Sequence, residues 1–128
     1  MLSVHIAHLG DKTPFEVKGT GKALRQFIYS EDLARLMVWM VTSYNDVEPL
    51  ILSTSQEISI GDVARLIAQA MEYEAGLVFV GGGDGQLRKP ASNAKLMCVK
   101  EDFVFTPFEM GLRKSVAWFV ANYDKARK

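Results

Sequence analysis

Two basic positions in this sequence are best placed to do chemistry. Arg25 follows a glycine turn, Gly19-Thr20-Gly21, and immediately precedes the apolar run Gln26-Phe27-Ile28-Tyr29. A strand there would hold its backbone while the guanidinium projects at the strand mouth. A planar fork with a fixed origin suits a bidentate phosphate contact. Lys89, with Arg88 beside it, comes just after the glycine-rich stretch Gly81 to Gly85 and its Asp84. If the two sites converge, they would bracket a diphosphate. A single lysine or arginine is more often a solvated surface cation, so composition alone does not set these two apart.

Other chemistries fail on spacing. A dinucleotide turn starting at Gly81 would need its third glycine at Gln86, and one starting at Gly83 would need it at Arg88. Gly19-Thr20-Gly21 would need a glycine at Leu24, and Gly21-Lys22 as the end of a triphosphate loop would need one at Glu16. His5 and His8 lack a further metal ligand, so no metal site is assigned. Cys98, between Met97 and Val99, reads as a small core residue despite Lys95 and Lys100 nearby. No serine-histidine-acid arrangement is present.

The elements that must position the two cations follow from the apolar pattern. A helix is predicted from Glu31 to Tyr44, capped by Ser30, with Leu33, Leu36, Met37, Met40, Val41 and Tyr44 on one face. Val38 and Trp39 widen its apolar surface and place it centrally. A second helix starts at Ser59 with Asp62 completing the cap, buries Val63, Leu66, Ile67, Ala70 and Met71, and gives way before Gly76. A third is capped by Thr106, with Pro107 first and Glu109 reaching back; its inner face is Leu112, Val116, Phe119, Val120 and Tyr123. Strands are expected at Phe15 to Val17, Gln26 to Tyr29, Leu50 to Leu52, Leu77 to Val80 and Phe103 to Phe105. Leu2, Ile6 and Leu9 are spaced like a helix entered mid-element. Strands this short do not build a full doubly wound sheet, and a small mixed α/β domain is the fold class.

Length and charge bound the function. The 128 residues suffice for one core, and 15 Lys and Arg balance 15 Asp and Glu, which removes the case for nucleic acid or a membrane surface as partner. One cysteine and no apolar run of transmembrane length point to a reducing compartment, with the cytoplasm as the expected location.

Four segments carry a family resemblance. "RQFIYSEDLARL" resembles the Arg-x-Phe-Ile-(His or Tyr)-x-x-Asp-(Leu or Met)-Ala segment of the extended short-chain dehydrogenase/reductases, which modify nucleotide sugars. "DGQLRKPASNAKL", "FTPFEMGLRKSVAWF" and the closing "NYDKARK" are similar to the C-terminal part of the GDP-L-fucose synthase family within that group. The resemblance implies that residues 1–128 form a C-terminal GDP-sugar-binding domain whose N-terminal NADP-binding Rossmann half is missing. It implies a homodimeric, NADP-dependent epimerase and reductase, producing GDP-L-fucose from GDP-4-keto-6-deoxy-D-mannose, as the full-length enzyme. By the same resemblance Arg25 and Lys89 contact the GDP-sugar on its diphosphate side, while Val17 and Lys18 belong to the pocket wall; Asp84 is grouped with them. Lys18 stands where the family carries an aromatic, and Ile6, beside His5, falls near a position that is basic in the family.

The family's carbonyl reduction uses a tyrosine followed four residues later by lysine, which poises the hydroxyl to supply a proton. Here Tyr29, Tyr44, Tyr73 and Tyr123 are followed at that spacing by Leu33, Glu48, Leu77 and Arg127. No catalytic residue is therefore assigned, no cofactor is expected on this stretch alone, and inactivity is expected of it. The alternative is a stand-alone, non-catalytic module that binds a nucleotide sugar or a protein. A purely structural role would be favoured by an internal ion pair of Arg25 with Glu31 or Asp32.

Overall fold

The computed structural model describes residues 13–126. In chain order these form β1 (Phe15–Lys18), β2 (Leu24–Gln26), α1 (Ser30–Ser43), β3 (Glu57–Ser59), α2 (Ile60–Ala70), β4 (Leu77–Val80), α3 (Ala94–Val99) and α4 (Phe108–Ala121). Strands β1 and β4 pair in parallel, with Phe15 opposite Leu77 and Lys18 opposite Val80. Strands β2 and β3 pair antiparallel, setting Leu24 against Ser59, Arg25 against Ile58 and Gln26 against Glu57. The expected small mixed α/β fold is what the chain adopts.

Helix α2 is the hub, touching α4, β1, β3 and β4. Its start matches the expectation: the Ser59 hydroxyl accepts from the Asp62 amide at 3.0 Å and donates to the Asp62 carboxylate at 2.6 Å. Two further amides of its first turn are closed from outside. Ile60 N–H donates to Ala23 O at 2.9 Å and Gly61 N–H to Gly21 O at 2.8 Å, so this helix start is spent on the loop that leads into β2 and Arg25. Gly21 has φ +74°, and a side chain there would run into the Phe79 ring; both facts require glycine. Val63 and Ala64 are buried on its inner face, and Val17 and Ala23 are buried on β1 and the following loop.

Helix α1 meets the core with one face only. Leu36 is fully buried with Leu96 and Phe103, and Ile28, Trp39, Leu50, Leu52 and Phe105 pack around them. Met37, Val38 and Val41 on the same helix are exposed, so its apolar width does not signal burial on both sides. Two caps also differ from expectation. Tyr29, not Ser30, holds the capping position of α1, and no side chain caps it. Thr106 does not cap α4, which starts after Pro107; its amide and hydroxyl donate instead to the Asp32 carboxylate, at 2.7 and 3.0 Å. Capping would use the hydroxyl oxygen as an acceptor, but the capping position belongs to Pro107, one residue later.

The strand expected at Gln26 to Tyr29 lies earlier, at Leu24–Gln26. Leu50 to Leu52 and Phe103 to Phe105 belong to no strand; Leu50, Leu52, Phe103 and Phe105 pack in the core without a ladder, while Ile51 and Val104 are exposed. Helix α2 ends before Gly76, with Glu72 at φ +53° making the reversal. Val120 and Cys98 are exposed rather than internal. His5, His8 and the helical spacing of Leu2, Ile6 and Leu9 lie outside the described residues. No helix among the described residues is long and apolar enough to cross a membrane, and no group of three or more metal-ligating side chains occurs among them.

Candidate functional site

Arg25 is fixed by the strand pair and by a third lane beside it. Leu24 N–H donates to Leu87 O at 2.8 Å, and Leu24 and Arg88 form a parallel bridge. The sequence from 86 to 91 thus runs alongside β2, with contacts at Gln86, Leu87, Arg88 and Ala91. Side chains alternate between faces along a strand, and directly paired residues share a face. Leu24, Gln26, Glu57 and Arg88 therefore lie on one face and Arg25 and Ile58 on the other; Lys89 follows Arg88 directly, next to the bridge.

The Arg25 guanidinium is partly committed. Nη1 donates to Leu24 O at 2.6 Å and Nη2 to Gln86 O at 2.8 Å. A guanidinium carries five N–H donors, so three remain for a ligand, and the two bonds fix the direction of the fork. Arg25 makes no ion pair with Glu31 or Asp32; the residue paired with Asp32 is Arg35, at 3.3 Å. The observation that would have favoured a purely structural Arg25 is therefore not met. Lys89 and Lys18 are exposed, and neither makes an ion pair with another described residue.

Asp84 closes the neighbouring corner. The Thr20 amide and hydroxyl both donate to its carboxylate, clasping the glycine loop after β4 to the turn after β1. Gly19 sits under that clasp at φ +93°, and a side chain there would collide with the carboxylate. Hydrogen bonding from Thr20, hydroxyl first and amide second, holds the Asp84 carboxyl below the usual carboxylate range. The carboxylate of Asp84 thus shapes the loop, and it repels an anion at short range. Val17 is buried beneath this corner, at 2% exposure, with Lys18 turned out from the next position.

The clasp yields a pH prediction. Folding depresses the Asp84 pKa, so its stabilising contribution is complete above the unfolded value of about 3.9 and is lost as pH falls through the lower folded value. Following the Asp84 carboxyl and Thr20 amide by NMR during acidification should show both moving together below that unfolded value. Thr20→Val should bring the carboxyl back toward the ordinary range; an unchanged Asp84 titration in that variant would refute the clasp.

Sequence reasoning missed Gln26, Glu57 and Thr20. Gln26 read as a strand residue and Thr20 as turn filler, because their partners are 65 and 64 positions away. A groove of about 160 Å³ between α2 and α4, lined by Leu66, Gln69, Ala70, Glu109, Leu112 and Arg113, contains none of the five sequence-predicted site residues. A dinucleotide pyrophosphate is seated by a glycine turn running directly into a helix. After β4 the next helix is α3, which begins at Ala94, so the glycine loop after β4 is not such a turn and no step is assigned to NADP here.

Known proteins place this arrangement. The model of the NAD dependent epimerase/dehydratase family matches residues 1–61. The chain is 47% identical to a GDP-L-fucose synthase of Dictyostelium discoideum, covering 98% of this chain and 41% of that protein. It is also 47% identical to a probable GDP-L-fucose synthase of Drosophila melanogaster, covering 89% and 36%. In three dimensions it resembles a GDP-L-fucose synthetase from Naegleria fowleri at 44% identity and TM-score 0.88, over 91% of this chain and 36% of that one. A second structure of that synthetase, bound to NADP, matches with TM-score 0.85 at the same identity and coverage. The chain spans about two-fifths of the length of the curated relatives it matches. In sequence and in fold, this chain is similar to GDP-L-fucose synthases over about two-fifths of their length.

Proposed function

We propose that this chain is the GDP-sugar-binding portion of a GDP-L-fucose synthase, the C-terminal domain of an enzyme that converts GDP-4-keto-6-deoxy-D-mannose to GDP-L-fucose by epimerisation and NADPH-dependent reduction. The observation that carries it is the Leu24–Arg88 bridge, which brings the segments of Arg25 and Lys89 side by side; alternation from that bridge would set the two on one face. One cation with a planar fork on β2 and one with a mobile ammonium on the neighbouring segment suit a diphosphate. Lys18, replacing an aromatic of the family, supports the same site as a further exposed cation, with Val17 as wall beneath it and Asp84 shaping the rim.

The role of these residues is to bind and orient. Holding the diphosphate fixes where the sugar ring lies, and binding energy from a remote, unreactive group is what positions a reacting centre. With no tyrosine four residues ahead of a lysine in this sequence, proton donation belongs to the longer enzyme, where NADP supplies hydride. This chain alone is expected to be inactive. In the longer cytoplasmic, homodimeric enzyme the same face would meet the domain that carries the cofactor.

Calorimetric titration of GDP into this chain at low salt, with UDP and inorganic phosphate as controls, tests the reading. Saturable binding that prefers GDP is expected, with a loss of at least about tenfold in affinity for Arg25→Ala, since charge-assisted contacts are worth ~1.5–3 kcal/mol. Binding left intact in that variant would overturn the role of Arg25. No preference among the three ligands would overturn the GDP-sugar reading.

A further inference from the structure

We propose that Glu57, Arg88 and Gln26 are positioning residues that lock residues 86–91 in register against β2, and so aim Lys89 at the ligand that Arg25 grips; the ligand half of this rests on the function proposed above. Arg88 forks onto Glu57 from the neighbouring lane: its Nε lies 3.0 and 2.8 Å from the two carboxylate oxygens, and its Nη2 bonds one of them as well. The Glu57 side chain is only 14% exposed while that of Arg88 is 64% exposed, so the acid is the fixed partner and the arginine reaches to it. That pairing holds the Glu57 carboxyl below the usual carboxylate range.

Gln26 fastens the other end of the lane. Its Oε1 accepts from the Ala91 amide at 2.7 Å, and its Nε2 donates to Ala91 O at 2.9 Å and to Thr54 O at 2.7 Å. Both ends of the amide are used, and they tie β2 to segments on either side. Side chains must do this because Pro90 has no amide to give to a ladder. Arg25 itself adds a bond to Gln86 O at 2.8 Å at the start of the lane.

Register matters here because successive residues of an extended chain face opposite ways. A slip by one residue would carry Lys89 to the Glu57 face and Arg88 to the face of Arg25. Glu57 selects against that slip: a carboxylate accepts a planar fork at two points, and a lysine offers only a point charge. Neither Glu57 nor Gln26 lies on the face of Arg25, so their effect on the ligand passes through Lys89.

The test compares this chain with Glu57→Gln and with the charge-exchanged double variant Glu57→Arg, Arg88→Glu. Amide hydrogen exchange and GDP titration are both measured. In Glu57→Gln, exchange at the Leu24 and Ala91 amides should rise about tenfold while the Gly19 amide, bonded to Val80 O across β1 and β4, stays unchanged. GDP affinity should fall about fivefold, and the exchanged pair should recover most of both losses, as expected when a charge pair is the coupling element. Unchanged exchange in Glu57→Gln would overturn the lock. Raised exchange with unchanged GDP affinity would overturn the aiming of Lys89. If the original chain fails to bind GDP yet exchange responds as stated, the proposed function and the aiming fall while the register lock stands.

Discussion

Asp32→Ala should lower the stability of this chain by about 3 kcal/mol, read as a shift in the urea midpoint at constant slope. Asp32 is 1% exposed and its carboxylate accepts from the Thr106 amide at 2.7 Å, the Thr106 hydroxyl at 3.0 Å and Arg35 at 3.3 Å. Arg35 is 63% exposed, and such pairs contribute little. The cost therefore comes from the Thr106 side. Removing the acceptor leaves two half-buried donors without a partner, each worth roughly 1–3 kcal/mol when orphaned. Thr106→Val removes one of those bonds together with its donor, and should cost about 1 kcal/mol. A loss under about 1 kcal/mol for Asp32→Ala would show that the two segments are held together by packing alone.

The geometry around this tie explains why it matters for the site. Asp32 sits in the first turn of α1, and Thr106 lies two residues before α4. The tie pulls these two starts together, and Gly111 lets them close: a Cβ there would meet Tyr29 at 3.1 Å. Phe27, one residue beyond β2, packs on Phe108 with ring centroids 5.6 Å apart. Strand β2, and with it Arg25, is thus anchored at its far end by the same junction.

The contrast between Ser59 and Thr106 shows which features were legible in the sequence. Both are hydroxyl residues with an acid three positions on. Ser59 caps α2 because its best partner, Asp62, is local. Thr106 does not cap, because the capping position falls on Pro107, and its amide and hydroxyl are turned to a buried carboxylate 74 positions earlier. Local rules cannot see that distant partner. Likewise Leu77–Val80 was readable as a strand because β1 lies beside it, whereas Leu50 to Leu52 has the same apolar character and no ladder among the described residues. At the candidate site, Arg25 and Lys89 were visible as residue types following glycine turns. The bridge that brings their segments together was not, since it joins Leu24 to Arg88, 64 positions apart.

Leu36→Ala carries the other large effect, about 3 kcal/mol of lost stability with a range of about 2–5 for such truncations. Leu36 is fully buried and meets Leu96 and Phe103, themselves buried, inside a shell of half-buried Ile28, Trp39, Leu50, Leu52 and Phe105. That shell is built largely from irregular segments rather than from regular elements, so it can collapse into the cavity only by giving up backbone positions held elsewhere. Asn93, for example, donates to Ser53 O at 2.9 Å, and Gln26 to Thr54 O. Only seven hydrophobic side chains among the described residues are buried, and domains are commonly stable by just 5–15 kcal/mol, roughly. One truncation at this point therefore consumes a large share of the total. Val41→Ala, five residues along the same helix at 84% exposure, should change stability by no more than about 0.5 kcal/mol. Chemical denaturation of the two variants side by side decides the matter. Equal losses would mean that the outward face of α1 is covered in solution, and a small loss at Leu36 would mean that α1 is not packed on Leu96 and Phe103 as described.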